Sequence, residues 1–232
     1  MRIFQDTDAG SVRETNEDAL FASENILLVA DGMGGHAAGE VASSLLTETI
    51  KSYLTDRDFI DESVLKDSIL LANEVILRKA NEKPEYYGMG TTATLAYADK
   101  NILYYAHVGD SRLYVFRNGN LNQITEDHSY VAKLVKEGVI TEEEALHHPK
   151  KNYILRAVGT EKKLEVDTGK LELLRGDKLL LTTDGITNVL DKENIIKILS
   201  NDDINPAEMM VKLALKMVAR DNITAVVAIY DE

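Results

Sequence analysis

Four apolar, strand-like runs of this 232-residue chain stop at an aspartate or start from one. The run 26–30 leads into Asp31, the run 102–109 into Asp110 and the run 179–183 into Asp184, while Asp221 precedes the run 223–230. An apolar run that stops at an acid sets that carboxylate at the rim of a buried sheet. One such case means little, because aspartate is a common turn former. Four in a chain that holds only five histidines point to a shared site. Clustered carboxylates repel one another and need a cation to coexist, and an oxygen-only ligand set selects hard ions such as Mg²⁺ or Mn²⁺. Asp31-Gly32-Met33-Gly34-Gly35-His36 puts three glycines in four positions beside one of these acids. Glycine turns the chain without strain and lets carbonyls approach an ion. The plainer reading of the same segment is a loop that leads into a helix over 37–54.

The order of the elements restricts the fold. Strand-like runs fall at 25–30, 92–98, 102–108, 113–116, 164–174, 178–182 and 224–230, and Asn118-Gly119 marks a two-residue hairpin turn in which both residues need positive φ. Leu65, Ile69, Ala72, Ile76 and Ala80 recur three or four apart and make one helical stripe over 62–80; Ala42, Leu45, Leu46, Thr49 and Tyr53 make another. Asn205-Pro206 reads as a cap followed by proline at the first helical position, opening a helix buried through Ala207, Met210, Val211, Ala214 and Met217. Two helices adjacent in sequence, with consecutive hairpins after them, predict an α+β fold of stacked antiparallel sheets with helices outside, not a parallel βαβ sheet. No repeat or linker interrupts 1–232, which reads as one domain. The segment 127–156 breaks the strand pattern, carries a capping box at Thr141-Glu142-Glu143-Glu144, and reads as a short helical insertion beside the site.

Composition removes several alternatives. The chain has no cysteine, which excludes disulfides, thiolate metal sites and cysteine nucleophiles. A net charge of −13 without a basic run argues against nucleic acid as a partner. No apolar stretch approaches the ~20 residues that span a bilayer, and Met1-Arg2-Ile3-Phe4 runs into patterned sequence without a leader's apolar core. The expectation is a cytoplasmic protein that does not insert into membranes.

The motifs around the acids resemble a known family. Arg13-Glu14-Thr15-Asn16-Glu17-Asp18-Ala19 and Asp31-Gly32-Met33-Gly34-Gly35-His36 resemble the type 2C, metal-dependent serine/threonine protein phosphatases. Further matches follow in the family's order: Met89-Gly90-Thr91-Thr92, His107-Val108-Gly109-Asp110-Ser111-Arg112, Thr125-Glu126-Asp127-His128-Ser129, Arg156-Ala157-Val158-Gly159, Thr183-Asp184-Gly185 and Asp221-Asn222-Ile223-Thr224. They run from residue 13 to residue 224. The glycine-rich second motif resembles the bacterial branch.

The resemblance implies a four-layer αββα sandwich with a flap-like insertion at about 127–156. It implies hydrolysis of phosphoserine and phosphothreonine by a metal-bridged hydroxide at a binuclear Mn²⁺ or Mg²⁺ site, with a third ion as in bacterial members. By position, Asp31 bridges two ions, Asp184 and Asp221 complete the first, and the Gly32 carbonyl joins the second with Asp18 or Glu17 nearby. Asp110 and Asp184 hold the third. Arg13 grips the phosphate, and the partners are phosphorylated proteins, including a serine/threonine kinase and its substrates.

The chain departs from the family at two points. Met33 stands where many eukaryotic members carry a histidine assigned as general acid; a thioether cannot donate a proton, which leaves that role to metal-bound water or to a group such as His36. The bland reading of His36 is a solvent-facing residue at a helix start. Met217-Val218-Ala219-Arg220 also lacks the glycine pair often found before the last aspartate. Two other readings compete. Asp6-Thr7-Asp8 resembles the nucleophile motif of haloacid-dehalogenase-type phosphatases, but Gln5 breaks the preceding strand and no βαβ order follows. A catalytically weak member that binds phosphoproteins as a regulator is the non-enzyme alternative.

Overall fold

The computed structural model describes residues 1–35, 38–55 and 57–231. Along the chain run β1 (Arg2–Asp8), β2 (Asp18–Ala22), β3 (Ile26–Met33), α1 (Ala38–Thr55), α2 (Glu62–Ala80), β4 (Gly90–Thr91), β5 (Ala93–Asp99), β6 (Ile102–Val108), β7 (Arg112–Arg117) and β8 (Asn120–Gln123). Then come α3 (Tyr130–Lys136), α4 (Glu142–Leu146), β9 (Asp167–Glu172), β10 (Lys178–Thr182), α5 (Asp184–Thr187), α6 (Lys192–Leu199), α7 (Pro206–Lys216) and β11 (Ile223–Ile229).

Strand alternation builds the layers. Successive side chains of a strand point to opposite faces, and a strand that is apolar on both faces must be covered on both. In β3, Leu27 and Val29 join one apolar cluster with Leu113, Leu179, Leu181 and Val226. Leu28 and Ala30, between and beside them, join another with Leu46, Ile50 and Ile69 of α1 and α2. In β10 and β11, Leu179, Leu181, Val226 and Ala228 belong to the central cluster, whereas Leu180, Ala225 and Val227 pack with Ile195 of α6 and Met210 of α7. Three apolar interfaces separate four layers: helices, sheet, sheet, helices. One sheet has the order β1-β11-β10-β7-β8 and the other β2-β3-β5-β6-β9, with β4 on β3, and the paired strands are antiparallel. The α+β sandwich expected from element order is the observed one.

Several local expectations hold and others are corrected. The β7–β8 turn has φ of 51° at Asn118 and 77° at Gly119. Asn205 caps α7 through Glu208 N, and Thr141 and Glu144 form the capping box of α4. The buried face of α1 is Ala42, Leu46, Ile50 and Leu54, not the expected row through Leu45, Thr49 and Tyr53, which are half-buried at its edge. Met217 is the C-cap of α7 and is 48% exposed; past the last helical turn it no longer faces the core. Gln5 does not break a strand. It is exposed on β1, an edge strand paired antiparallel with β11, where a polar side chain is tolerated although Ile3 and Phe4 pack on the cores of the two faces. The pairing is antiparallel, so the Asp6-Thr7-Asp8 segment sits in no parallel sheet. Asp31 does not terminate its strand, because β4 pairs with Gly32 and Met33 and carries β3 past it. The expected 164–174 strand contracts to β9, an edge strand.

Val218 sits where a glycine would be at ease. Its φ is 60° and it is 63% exposed. The left-handed region costs a β-branched residue about 1–2 kcal/mol, and exposure means that little packing offsets the strain. Val218→Gly relieves that strain at the cost of about 0.5–1 kcal/mol of chain entropy. It is expected to leave the stability unchanged or raise it by up to about 1 kcal/mol, measured by urea unfolding; a loss above about 1 kcal/mol would contradict the strain.

Candidate active site

The acids converge because both sheets present the same end. The β2–β3 register sets Asp18 directly opposite Asp31. Asp184 opens α5 two residues after β10, and Asp221 stands two residues before β11. Antiparallel pairing of β10 with β11 brings the end of one strand beside the start of the other. Asp110 lies in the link from β6 to β7, where the chain passes from one sheet to the other. Gly109 turns that link with φ of 111°, and a Cβ there would come within 2.6 Å of the Thr92 Cβ; only glycine meets both demands. Arg13, Glu17, Asp31, Asp110, Asp184 and Asp221 line one open cleft of about 650 Å³, with Gly32 and Met33 on its wall. Asp18 is not part of that lining. His36 lies outside the described residues.

Hydrogen bonds fix the frame around these carboxylates. Asp18 Oδ2 accepts from Thr183 Oγ1 at 2.8 Å and Thr224 Oγ1 at 2.6 Å, which ties one sheet to the other. The Asp31 backbone N–H donates to Thr92 Oγ1 at 2.8 Å, and Thr92 Oγ1 lies 2.7 Å from Ser111 Oγ. The Gly109 N–H donates to His128 Nδ1 at 3.1 Å, while the His128 N–H donates to the Gly109 carbonyl at 2.7 Å. His128 Nε2 reaches Asp167 Oδ2 at 3.1 Å, and its ring packs on buried His107 with centroids 4.9 Å apart. Arg13 spans Asp221, with its Nη2 3.0 Å from each carboxylate oxygen. Asn222 donates through Nδ2 to the carbonyls of Ala9 at 3.0 Å and Thr15 at 2.9 Å, and accepts from Glu17 N–H at 2.8 Å.

Crowding raises the proton affinity of the cluster. Water reaches part of these residues from the cleft, yet burial is the leading cause of each shift. Asp18 is pushed up to about 7 by burial, against the pull of its two threonine donors. Asp110 is pushed up to about 8 by burial and then by Asp184, and Asp184 to about 6 by burial and then by Asp221. Asp31 rises well above the usual carboxylate range through burial and the charges of Asp18, Asp184, Asp110 and Asp221. Glu17 is raised by burial, offset by Arg13. Burial and neighbouring His128 hold His107 down at about 3, so it is neutral.

The residues suit a hard cation. The donors are oxygens, and Glu17 Oε1, Asp18 Oδ1 and Asp110 Oδ1 are buried with no hydrogen-bond partner; a buried carboxylate oxygen without a partner is costly. Among the described residues no three of these side chains close on a single coordinating point: Asp221 gives its oxygens to Arg13, and Asp18 gives one to threonines.

This fold, with this acid cradle, places the chain in a known class. Residues 7–133 match the Protein phosphatase 2C family, and the chain belongs to it. It is 39% identical over 230 residues to "Serine/threonine protein phosphatase PstP" of Mycobacterium tuberculosis, covering 98% of this chain but 45% of PstP. The chain thus spans about half the length of that curated relative. It is 40% identical to "Serine/threonine phosphatase stp" of Listeria welshimeri, covering 94% of this chain and 91% of that protein. In three dimensions it resembles the catalytic domain of PstP in a crystal structure with two manganese ions, with a TM-score of 0.93 and 37% identity, over 100% of this chain and 98% of the other.

Of the residues that the sequence groups into one site, Arg13, Glu17, Asp31, Gly32, Asp110, Asp184 and Asp221 line one cleft. Thr183, Thr224, His128 and Asn222 hold the acids and their loops, and no pattern in the sequence singles them out. Their local signal is weak, since each is only a hydrogen-bonding residue next to, or shortly after, an acid or its loop.

The raised carboxylates have a consequence for metal-free protein. The folded chain keeps protons on Asp18 and Asp110 up to about 7 and 8, whereas an unfolded aspartate releases its proton near 3.8. That stabilisation is complete below 3.8 and fades as pH rises through 7 to 8. His107 acts oppositely, but only below its unfolded value of 6.5. In chelator, unfolding free energy is therefore expected to fall between pH 6.5 and pH 8.5 by about 2 kcal/mol or more, at ~1.4 kcal/mol per pKa unit. Saturating Mg²⁺ should shrink or reverse that slope, because a cation takes the protons' place. Urea melts at the two pH values check it; equal stabilities in chelator would refute it.

Proposed function

We propose that this chain hydrolyses phosphoserine and phosphothreonine in proteins, using divalent cations held at the end of its sandwich. The observation that carries the reading is the buried carboxylate cluster with unpartnered oxygens, facing a cleft that also holds an arginine. The relatives are named as serine/threonine phosphatases, and one solved relative binds manganese.

In this reading Asp31 would serve both of two cations, Mn²⁺ or Mg²⁺; Asp184 and Asp221 would help hold the first, the Gly32 carbonyl, with Glu17 or Asp18 nearby, the second, and Asp110 with Asp184 a third. Bound there, such ions supply the Lewis acidity that lowers the pKa of an attacking water from 15.7 toward about 7. The chain's own part is to position and to neutralise. Arg13 stays charged, lines the cleft and offers a planar fork suited to two phosphoryl oxygens. Leaving Asp221 for the phosphate, it exchanges one anionic partner for another. Met33 lines the cleft and has no proton to give, so the leaving alkoxide takes its proton from water or from His36.

We read the whole of 1–232 as one phosphatase domain and 127–156 as a flap-like insertion within it. The segment carries α3 and α4, and Tyr153, Ile154 and Leu155 at its end line the cleft. An apolar wall beside an acid floor suits a peptide chain that carries a phosphate. The natural partners in this reading are phosphorylated cytoplasmic proteins, a serine/threonine kinase and its substrates among them. Among the described residues no helix is long and apolar enough to cross a membrane.

Phosphate release from a phosphothreonine peptide tests the proposal. Activity should vanish in EDTA and return with Mn²⁺ or Mg²⁺. Asp31→Ala should lower kcat by more than about a hundredfold and weaken cation binding by calorimetry. Full turnover after exhaustive chelation would sink the metal-dependent reading. Phosphopeptide binding without turnover in the presence of Mn²⁺ would favour a regulator instead.

A further inference from the structure

The loop 9–17 connects β1 to β2 and carries Arg13 near its middle. It contains no helix or strand, and its hold on the body comes from a few contacts. Ser11 donates from its backbone N–H and its hydroxyl to the Ala219 carbonyl at 2.9 and 2.6 Å. Gly10 N–H donates to Asp8 Oδ1, and Asn16 Nδ2 donates to Thr7 Oγ1. Ser11 and Gly10 fix the outgoing limb, Asn16 ties the returning limb to the end of β1, and the Glu17 carbonyl accepts from Gly32 N–H and Ser43 Oγ. Asn222 alone among these side chains bonds to the backbone of both limbs. Its amide nitrogen reaches the Ala9 carbonyl on the outgoing limb and the Thr15 carbonyl on the returning limb, and its amide oxygen takes the Glu17 N–H where the loop rejoins the sheet.

Asn222 is 5% exposed. It is held in turn by its own backbone, whose N–H donates to Asp221 Oδ1 at 3.0 Å. Both of its amide hydrogens and its amide oxygen are used, and no other side chain type supplies two donors and an acceptor in that small fork except the longer glutamine. Asn222 makes no hydrogen bond to Arg13 and is not part of the cleft lining.

We infer that Asn222 is a positioning residue that staples the base of the 9–17 loop, so that Arg13 stands at the cleft before any phosphate arrives. This rests on Arg13 as the phosphate-binding group in the function proposed above. A pre-set guanidinium loses less freedom on binding than one carried on a free loop, and a positioned group contributes to rate as well as to affinity.

The test is Asn222→Asp, which keeps the shape and the acceptor for Glu17 N–H but turns the two donors into an oxygen facing two carbonyls. Two readouts follow it. The first is tryptic cleavage after Arg13, followed by mass spectrometry in protein without substrate: it should accelerate by about tenfold or more in the variant, because both limbs of the loop lose their shared donor. The second is a double-mutant cycle with Arg13→Ala on para-nitrophenyl phosphate. Asn222→Asp should lower kcat/KM by about tenfold, and the double variant should fall within about twofold of Arg13→Ala alone, because a residue that acts through Arg13 has nothing left to position. Losses that multiply, or an unchanged cleavage rate, overturn the inference. Should Asn222→Asp fail to fold, Asn222→Ser deletes the donors without adding charge beside Asp221 and carries the same cycle. Native kinetics in Arg13→Ala would remove Arg13 as the phosphate group, and the staple would then stand or fall on the proteolysis alone.

Discussion

Five aspartates crowd one end of this protein, and their repulsion is the constraint to which the rest of the structure answers. Asp31 feels the charges of Asp18, Asp184, Asp110 and Asp221 in a buried setting. Such a group can hold its charges only beside a cation, or lose them by taking up protons. Forming that end of the molecule is therefore unfavourable taken alone, and the remainder of the fold must supply the stability that keeps it assembled.

The sandwich supplies it through three apolar interfaces. Strands β3, β10 and β11 are buried on both faces, so the ends of these strands are held to the position of the sheets and cannot drift apart to relieve the repulsion. Hydrogen bonds then cross between the sheets at the site itself, from Asp18 of β2 to Thr183 and Thr224 beside β10 and in β11, and from Thr92, which also accepts the Asp31 N–H of its own sheet, to Ser111 just before β7. Asp18 and Asp31 sit within paired strands, and Asp110, Asp184 and Asp221 lie within two residues of a strand, whereas Arg13 sits near the middle of a loop.

Much of this was legible in the residues. The acids at strand margins, the Asn118-Gly119 turn, the cap at Asn205 and the helix over Glu62–Ala80 are local signals, set by backbone sterics and by the period of apolar side chains. Other features were hidden for physical reasons. Gln5 looks wrong for a buried strand and so hides β1, which is an edge strand where Gln5 is exposed. The spacing of Met217 suits a core position, but the helix ends at that residue. Val218 keeps a glycine-type φ without being glycine, something only a surrounding structure can impose on a β-branched residue.

Residue types and their order carry the stacked sheets and the acids at the strand margins, because burial on two faces of a strand and turn formation by aspartate are local properties. Tertiary structure alone decided which partner each polar atom takes. That Asp221 meets Arg13, that Asp18 is tied to threonines of the opposite sheet, and that Asn222 reaches both limbs of the loop that bears Arg13 are contacts between residues about 165 to 213 positions apart. Hydrogen bonds act over about 3 Å, and no pattern along the chain records which distant atoms folding will bring to that distance.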